Sequence, residues 1–243
     1  YIKERFIGEN IRTIIDTLQY TNLFDHKGYM LFLDFEKAFD SVSWSFLFKT
    51  LEHFNFGKNF ISWVKLLYNE PLLCVTNNGY AGKFFSIGRG IRQGCPISAL
   101  LFLIVVESLA TQIRNSADIC GLEIGKCNVT VSQLADTTLF LKDESSVKNV
   151  LVLLDHFKEC AELKLNKGKT EAIVLGKQTN DFSKVCGIQI QTKPIETLGV
   201  WITKDTEQIP LINFEERIEK LKVLLNMWKA RKLSLREKVT IVN

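Results

Sequence analysis

Cysteine and histidine are few in this sequence, and they do not occur at the short spacings that are typical of metal sites. There are six cysteines and three histidines, and no two cysteines form a CxxC pair. Neither a zinc site nor a disulfide framework is therefore predicted. Free thiols suit a reducing compartment, so we expect an intracellular protein.

Proline and long apolar runs are also scarce. With only four prolines, the predicted elements follow one another closely, without a Pro-rich linker. The longest apolar run, Ala99 to Val106, is too short to cross a bilayer, and no signal peptide is recognised, so no membrane partner is expected. The sequence starts without Met and stops just after a predicted helix begins, so we expect a fragment of a longer chain.

The sequence has no strong charge of either sign. A net charge of +4 permits a nucleic-acid partner without demanding one. The 243 residues, 46% of them hydrophobic, suit one large domain or two small ones with a sizeable core. The 17 Phe and 4 Trp supply ample apolar surface and argue against disorder.

Apolar residues recur at helical spacing in several segments. The helix predicted over residues 213–230 is amphipathic, and we expect its apolar side chains to face the core (Phe214, Ile218, Leu221, Leu225 and Trp228). The other predicted helices cover residues 5–20, the segment after a Ser43 cap, residues 60–68, Pro96 to Arg114, the segment after a Ser145 or Ser146 cap, and a last one from Ser234.

Strands are predicted between these helices. Met30 to Leu33 is a continuous apolar run, typical of a strand buried on both faces. Residues 72–87 read as a hairpin that turns at Asn77-Asn78-Gly79, and further strands are expected at 119–142, 171–175 and roughly 185–202. This mixed order predicts an α+β fold rather than a doubly wound sheet, and it leaves the strand order open.

Two carboxylates follow or interrupt apolar strands. Asp34 ends the buried run, and Asp136 lies between two apolar segments. Carboxylates that converge on one sheet edge are stable when a hard cation such as Mg²⁺ lies between them. On spacing alone, however, each is better explained as a solvated turn residue.

Six short motifs change this interpretation. DFEKAFDSVSW, GIRQGCPIS, LADTTLFL, LKLNKGKTE, LGVWI and LSLREKVTIVN occur in this order, and the series resembles the reverse transcriptases of non-LTR (LINE-type) retrotransposons from the first residue to the last. The resemblance implies a right-hand polymerase palm, an antiparallel sheet backed by helices. It implies partial fingers and palm in residues 1–202, and the palm-to-thumb connection and start of the thumb in 203–243.

The same resemblance implies an RNA-directed DNA polymerase that adds dNTPs to a DNA primer on an RNA template, in the nucleus or in a cytoplasmic ribonucleoprotein. Two Mg²⁺ ions, or Mn²⁺, would be held by Asp34, Asp136 and the backbone carbonyl of Phe35. Two ions that share these carboxylates lie about 4 Å apart, so we expect the carboxylates within ~6 Å of each other.

Further roles come from the matched motifs. Phe39 would abut the sugar of the incoming nucleotide and exclude a 2′-OH, although core packing is the simpler explanation of a Phe. Arg92, Gln93 and Gly94 would line the nucleotide and template pocket, where a plain Gly-Pro helix entry is equally consistent. Lys169 would lie near the triphosphate as a general acid, or is simply a solvated loop lysine.

One departure from the family pattern bears on activity. Thr137 stands where the family usually has a second Asp, and a hydroxyl brings no negative charge to a metal site. Two functions therefore stay open: a polymerase that is impaired in this copy, and a non-catalytic nucleic-acid-binding remnant. A polymerase of another template class is a third, but Phe39 argues against an RNA product.

Overall fold

The computed structural model describes residues 6–125, 127–133, 137–177 and 183–229. Its helices are α1 Ile7–Phe24, α2 Ala38–Ser41, α3 Trp44–His53, α4 Lys58–Leu67, α5 Ser98–Asn115, α6 Glu144–Ala161 and α7 Gln208–Lys229. Its strands are β1 Gly28–Leu33, β2 Leu72–Leu73, β3 Thr76–Asn77, β4 Tyr80–Ala81, β5 Phe85–Ser86, β6 Leu122–Ile124, β7 Cys127–Val129, β8 Val131–Gln133, β9 Thr137–Leu141, β10 Glu171–Leu175, β11 Lys184–Val185, β12 Ile188–Ile190, β13 Ile195–Thr197 and β14 Val200–Ile202.

The largest sheet contains six strands in the order β11-β12-β10-β1-β9-β8. Strand β1 pairs antiparallel with β10 on one side and with β9 on the other. Leu31 lies opposite Ala172 on one side and Leu139 on the other. The prediction of an α+β fold is therefore confirmed, with the predicted buried strand near the middle of the sheet. The sheet is not wholly antiparallel as the resemblance implied, because β10 and β12 pair in parallel.

Both faces of β1 are covered, which explains its unbroken run of apolar residues. Leu31 and Leu33 point into a core formed with helices α3, α5 and α6, which contribute Leu47, Leu109 and Val150 among others. Met30 and Phe32 point the opposite way, into a second core with Phe140 and α1 residues Ile14 and Leu18. Alternate side chains of the strand thus serve two different cores.

Two helices begin without the predicted side-chain cap. Helix α6 begins after Asp143, whose carboxylate accepts a hydrogen bond from the backbone N–H of Ser146 at 2.7 Å. The predicted caps Ser145 and Ser146 therefore lie inside the helix, because Asp143 satisfies its first turn instead. Ser43 does precede α3, but its hydroxyl is 2.9 Å from that of Ser45 and makes no cap.

The prediction for the last described helix is wrong in its orientation. Phe214 is 58% exposed and Leu221 48%, and Ile218 and Leu225 are exposed as well. The start of α7 is anchored: Ile209 is buried, and the Asn213 side chain accepts from the Trp201 N–H and donates to its carbonyl at 2.8 Å. The helix contacts β14 there, and of the five residues in the predicted stripe Trp228 alone is half-buried, while the other four are exposed. The helix expected from Ser234 lies outside the described residues.

Helix α5 is long and apolar enough, by length and composition alone, to cross a membrane. From the sequence, no apolar segment long enough to span a bilayer is predicted, so α5 departs from that prediction by length and composition. Leu101, Val105 and Leu109 of this helix are buried in the core that covers β1. Packing against the sheet therefore accounts for its composition.

Leu139→Ala should strongly destabilise the fold. Leu139 is 0% exposed and lies opposite Leu31 at the centre of the sheet. Truncation of such a side chain costs about 2–5 kcal/mol of unfolding free energy because a cavity remains. Urea denaturation would measure it, with Val152→Ala as the control, since Val152 is 50% exposed on α6. Equal midpoints for the two variants would contradict the described core.

Candidate active site

Asp34 is the first residue beyond the buried strand β1. Its backbone N–H donates to the Thr170 hydroxyl at 3.2 Å, and its carbonyl accepts from the Asn166 N–H at 2.8 Å. Thr170 is fully buried, and the side chain of Asp34 is half-buried. The backbone of Asp34 is therefore fixed on one side, and the residue lies just beyond the end of a central strand.

The carbonyl of Phe35 is directed by the same contact. Phe35 and Leu165 form an antiparallel bridge, flanked by hydrogen bonds from Asn166 to Asp34 and from Glu36 to Lys164. In this pattern the N–H and C=O of the bridging residues point away from each other. Because Leu165 lies on the β10 side, the Phe35 carbonyl points toward the β9 side.

Asp136 lies outside the described residues, so its predicted distance from Asp34 stays a prediction. Its neighbour Thr137 is the first residue of β9 and lies opposite Leu33. Thr137 is only 4% exposed, and by strand alternation it shares a face with Leu139, which packs into the helical core. A threonine suits this buried position better than a carboxylate, which burial would destabilise.

Phe39 lies in α2, a short helix just after Asp34. Its ring stacks on that of Phe102 from α5, with centroids 4.4 Å apart and planes 22° apart. Phe39 also lines a cavity of about 460 Å³ together with Gln93 and Gly94. Phe39 therefore packs against the core and also lines a pocket.

The loop that follows β5 brings three predicted residues to the same region. Arg92, Gln93 and Gly94 are exposed, and Gly94 has a φ of 82°, which favours glycine. Gln93 lies between the cavity that contains Phe39 and a second one of about 810 Å³, which Arg92 also lines. The fold thus gathers Phe39, Gln93 and Gly94, with Arg92 beside them.

Tyr68 lies beneath this loop. It is 4% exposed, and burial raises the pKa of its hydroxyl, while the neighbouring Ser98 and the backbone of Arg92 oppose that shift. The hydroxyl therefore stays protonated at neutral pH and remains a hydrogen-bond donor. Trp44 lies against Tyr68 and donates from its indole nitrogen to the Gly90 carbonyl at 2.8 Å.

Lys169 is an exposed residue of the turn that fixes Asp34. Its N–H donates to the Asn166 carbonyl at 3.1 Å, and the next residue, Thr170, holds the Asp34 backbone. The turn therefore places Lys169 one residue from a direct contact of Asp34. Asn166 and Thr170 were missed as site residues, although both belong to the motif LKLNKGKTE.

The described residues include no group of three or more His, Cys, Asp or Glu that could hold a metal ion. Asp34 offers carboxylate oxygens beyond the end of β1, and Phe35 offers a carbonyl directed toward β9. Oxygen atoms of these two kinds are ligands that Mg²⁺ takes, together with water and phosphate oxygens. The donor types therefore fit the predicted ion.

Comparison with known proteins identifies the family of this chain. The family model described as "Reverse transcriptase (RNA-dependent DNA polymerase)" matches residues 6–202. The "Transposon TX1 uncharacterized 149 kDa protein" of Xenopus laevis is 29% identical, over 98% of this chain and 19% of that protein. The "Retrovirus-related Pol polyprotein from type-2 retrotransposable element R2DM" of Drosophila melanogaster is 28% identical, over 65% of this chain and 15% of its own length. The chain therefore spans a fifth or less of these relatives.

Two solved structures are similar in fold. Telomerase from Candida albicans, in complex with a fragment of telomeric RNA, superposes with a TM-score of 0.57 at 16% identity, over 82% of this chain and 33% of that one. The apo telomerase of Candida tropicalis gives a TM-score of 0.55 at 16% identity, over 82% and 38%. At this identity the likeness concerns the fold alone, a mixed α+β polymerase fold.

Thr170→Val should destabilise the protein through Asp34. Valine keeps the shape of threonine but removes the hydroxyl, which leaves the Asp34 N–H without its acceptor. Loss of such a partner costs about 1–3 kcal/mol of unfolding free energy. Thermal and urea unfolding would measure this, and Thr170→Ser, which keeps the hydroxyl, should lose less. The opposite ranking would show that the methyl group rather than the hydrogen bond matters.

Proposed function

This chain belongs to the reverse transcriptase (RNA-dependent DNA polymerase) family, and on that premise we propose that it is the palm-centred part of an RNA-directed DNA polymerase of a non-LTR retrotransposon. The observation that carries the proposal is the position of Asp34. Asp34 lies at the end of a strand that is buried on both faces, and Thr170 and Asn166 fix its backbone. The negative charge of its carboxylate is therefore suited to stay in a fixed position. We propose fingers and palm for residues 1–202, and the connection to the thumb for 203–243.

The proposed reaction joins a dNTP to the 3′ end of a DNA primer paired with an RNA template. The primer 3′-OH attacks the α-phosphate, the new phosphodiester bond forms, and pyrophosphate leaves. Most of the catalysis in such a transfer comes from positioning and electrostatic stabilisation. Residues at the sheet edge would therefore act chiefly by holding the reacting groups in line.

Asp34, Asp136 and the Phe35 carbonyl would hold the divalent ions, two Mg²⁺ or Mn²⁺. Bound there, the ions supply positive charge to the attacking and leaving oxygens. We expect Asp136 beside Asp34 because the residues next to them, Thr137 and Leu33, lie opposite each other in the sheet.

The other site residues would bind and select the nucleotide. Phe39 would meet the sugar, and Gln93 and Gly94 would lie beside the base pair, since all three line one cavity. Lys169, exposed on the turn that fixes Asp34, would donate a proton to the leaving pyrophosphate. Arg92 would contact a phosphate of the template or nucleotide.

A second function is a non-catalytic nucleic-acid-binding remnant, and Thr137 is the observation that favours it. Its buried side chain faces the helical core and cannot replace the charge of the missing carboxylate. Such a remnant would keep salt-dependent contacts between its basic residues and phosphates. It would turn over no nucleotide.

Incorporation of dTTP distinguishes the two functions. In the full-length protein with poly(rA), oligo(dT), dTTP and Mg²⁺, we expect the parent to exceed Asp34→Ala by at least ~10–100-fold, because this substitution removes a metal-binding carboxylate. Asp16→Ala, an exposed acid on α1, is the matched control and should behave like the parent.

Thr137→Asp completes this set of variants, since it restores the usual second carboxylate. If it gains no activity and the parent only equals Asp34→Ala, the polymerase proposal fails for this copy. If the parent clearly exceeds Asp34→Ala, the remnant is excluded instead.

Phe39→Ala should relax the selection of the sugar. Without the ring, a 2′-OH meets less steric hindrance, and we expect the ratio of dTTP to UTP incorporation to fall at least about tenfold. Phe39→Tyr keeps the ring and should keep the ratio. If Phe39→Ala lowers stability but leaves the ratio unchanged, Phe39 serves only to pack against Phe102.

A further inference from the structure

Asp40 is an exposed carboxylate of α2 for which the family motifs suggested no role. Its Oδ1 accepts a hydrogen bond from Nε2 of Gln93 at 3.1 Å. The two residues are 53 positions apart in the sequence, so the contact is made by the fold and not by a local turn. It joins the segment after Asp34 to the loop that lines the nucleotide pocket.

Backbone contacts hold the two segments together at this point. The Ile91 N–H donates to the Phe39 carbonyl at 2.6 Å, and the Gly90 N–H donates to the Val42 carbonyl at 2.8 Å. Gly90 has a φ of 94°, and a Cβ there would lie 2.9 Å from the Asp40 carbonyl oxygen. Only glycine permits this approach, so Gln93 is brought within reach of Asp40 by the course of the backbone.

The chemistry of the pair sets the orientation of the Gln93 amide. An ionised carboxylate only accepts hydrogen bonds, so the NH₂ group of Gln93 must face Asp40. The amide oxygen, Oε1, is then the atom left for other contacts. Because Gln93 lines both cavities of the site, this orientation offers an acceptor to a ligand that carries an N–H or O–H donor, as a nucleobase or a sugar does.

The charges around the larger cavity are compatible with a carboxylate in its wall. Asp40, Arg89 and Arg92 all line it. Arg89 pairs with Glu162 at 2.8 Å, which leaves the Arg92 guanidinium to balance Asp40. An anionic nucleotide therefore does not meet a net negative wall.

We propose that Asp40 is a positioning residue that fixes the Gln93 amide with its oxygen toward the nucleotide. This inference rests on the proposed polymerase function, since it specifies how one residue of that site is held. Asp40 itself need not touch the substrate. Its effect should therefore pass entirely through Gln93.

A double-mutant cycle in steady-state dTTP incorporation tests this dependence. We expect Asp40→Ala and Gln93→Ala each to raise KM for dTTP about three- to tenfold, which is the effect of one lost hydrogen bond, with kcat within about twofold. The double variant should match Gln93→Ala alone, because the two residues act as a unit. Asp40→Asn can accept from the Gln93 amide or donate to it, so it no longer fixes one orientation and should recover the parent KM only in part.

Asp155→Ala is the matched control, because Asp155 is an exposed acid on α6 whose ionic partner is Lys167. It should leave KM unchanged. If the effects of Asp40→Ala and Gln93→Ala multiply in the double variant, Asp40 does not act through Gln93 and the proposal is overturned.

A second measurement needs no activity and separates this proposal from the polymerase function. In the ¹⁵N-labelled protein without nucleotide, the side-chain amide signals of Gln93, identified by their loss in Gln93→Ala, should shift in Asp40→Ala and not in Asp155→Ala. Unchanged signals in Asp40→Ala would overturn the contact. If the parent incorporates no more dTTP than Asp34→Ala, the polymerase proposal fails, and the amide signals alone support or overturn the role of Asp40.

Discussion

The burial of β1 on both faces is the constraint on which the rest of the site depends. Its alternate side chains fill two cores, one under α1 and one under α3, α5 and α6. The strand therefore cannot shift by one residue without exchanging the contents of both cores. That fixed register places Asp34 just past the end of β1, and the turn of Asn166 and Thr170 fixes its backbone there.

Local pattern and motif order predicted much of this arrangement. The apolar run to Leu33, the turn at Asn78-Gly79 and the helix after Pro96 were all visible as periodicity or turn chemistry. The motifs also identified Phe39, Gln93 and Gly94, which the fold gathers around one cavity. Their chemical roles, and the place of Asp136, stay predictions.

The features that could not be predicted from the sequence depend mostly on contacts between distant parts of the chain. The Asp40–Gln93 hydrogen bond spans 53 positions, and no local pattern predicts such a pair. Helix α6 is capped by Asp143 rather than by Ser145 or Ser146, because all three side chains can accept the first-turn hydrogen bond and the local sequence does not decide among them. The stripe of α7 has the right spacing for burial, yet a periodic stripe does not say whether a partner surface exists.

Thr137 links the fold to the question of activity. Its burial against the helical core means that the substitution is well accommodated by the sheet, whatever it does to catalysis. We propose that Asp34 and Asp136 form one cation site beyond the end of β1. A crystal structure of the Mn²⁺-soaked protein, with the ion located by its anomalous signal, would test this. We expect both carboxylates against manganese and within ~6 Å of each other; carboxylates more than about 12 Å apart, with no ion at Asp34, would rule out the shared site.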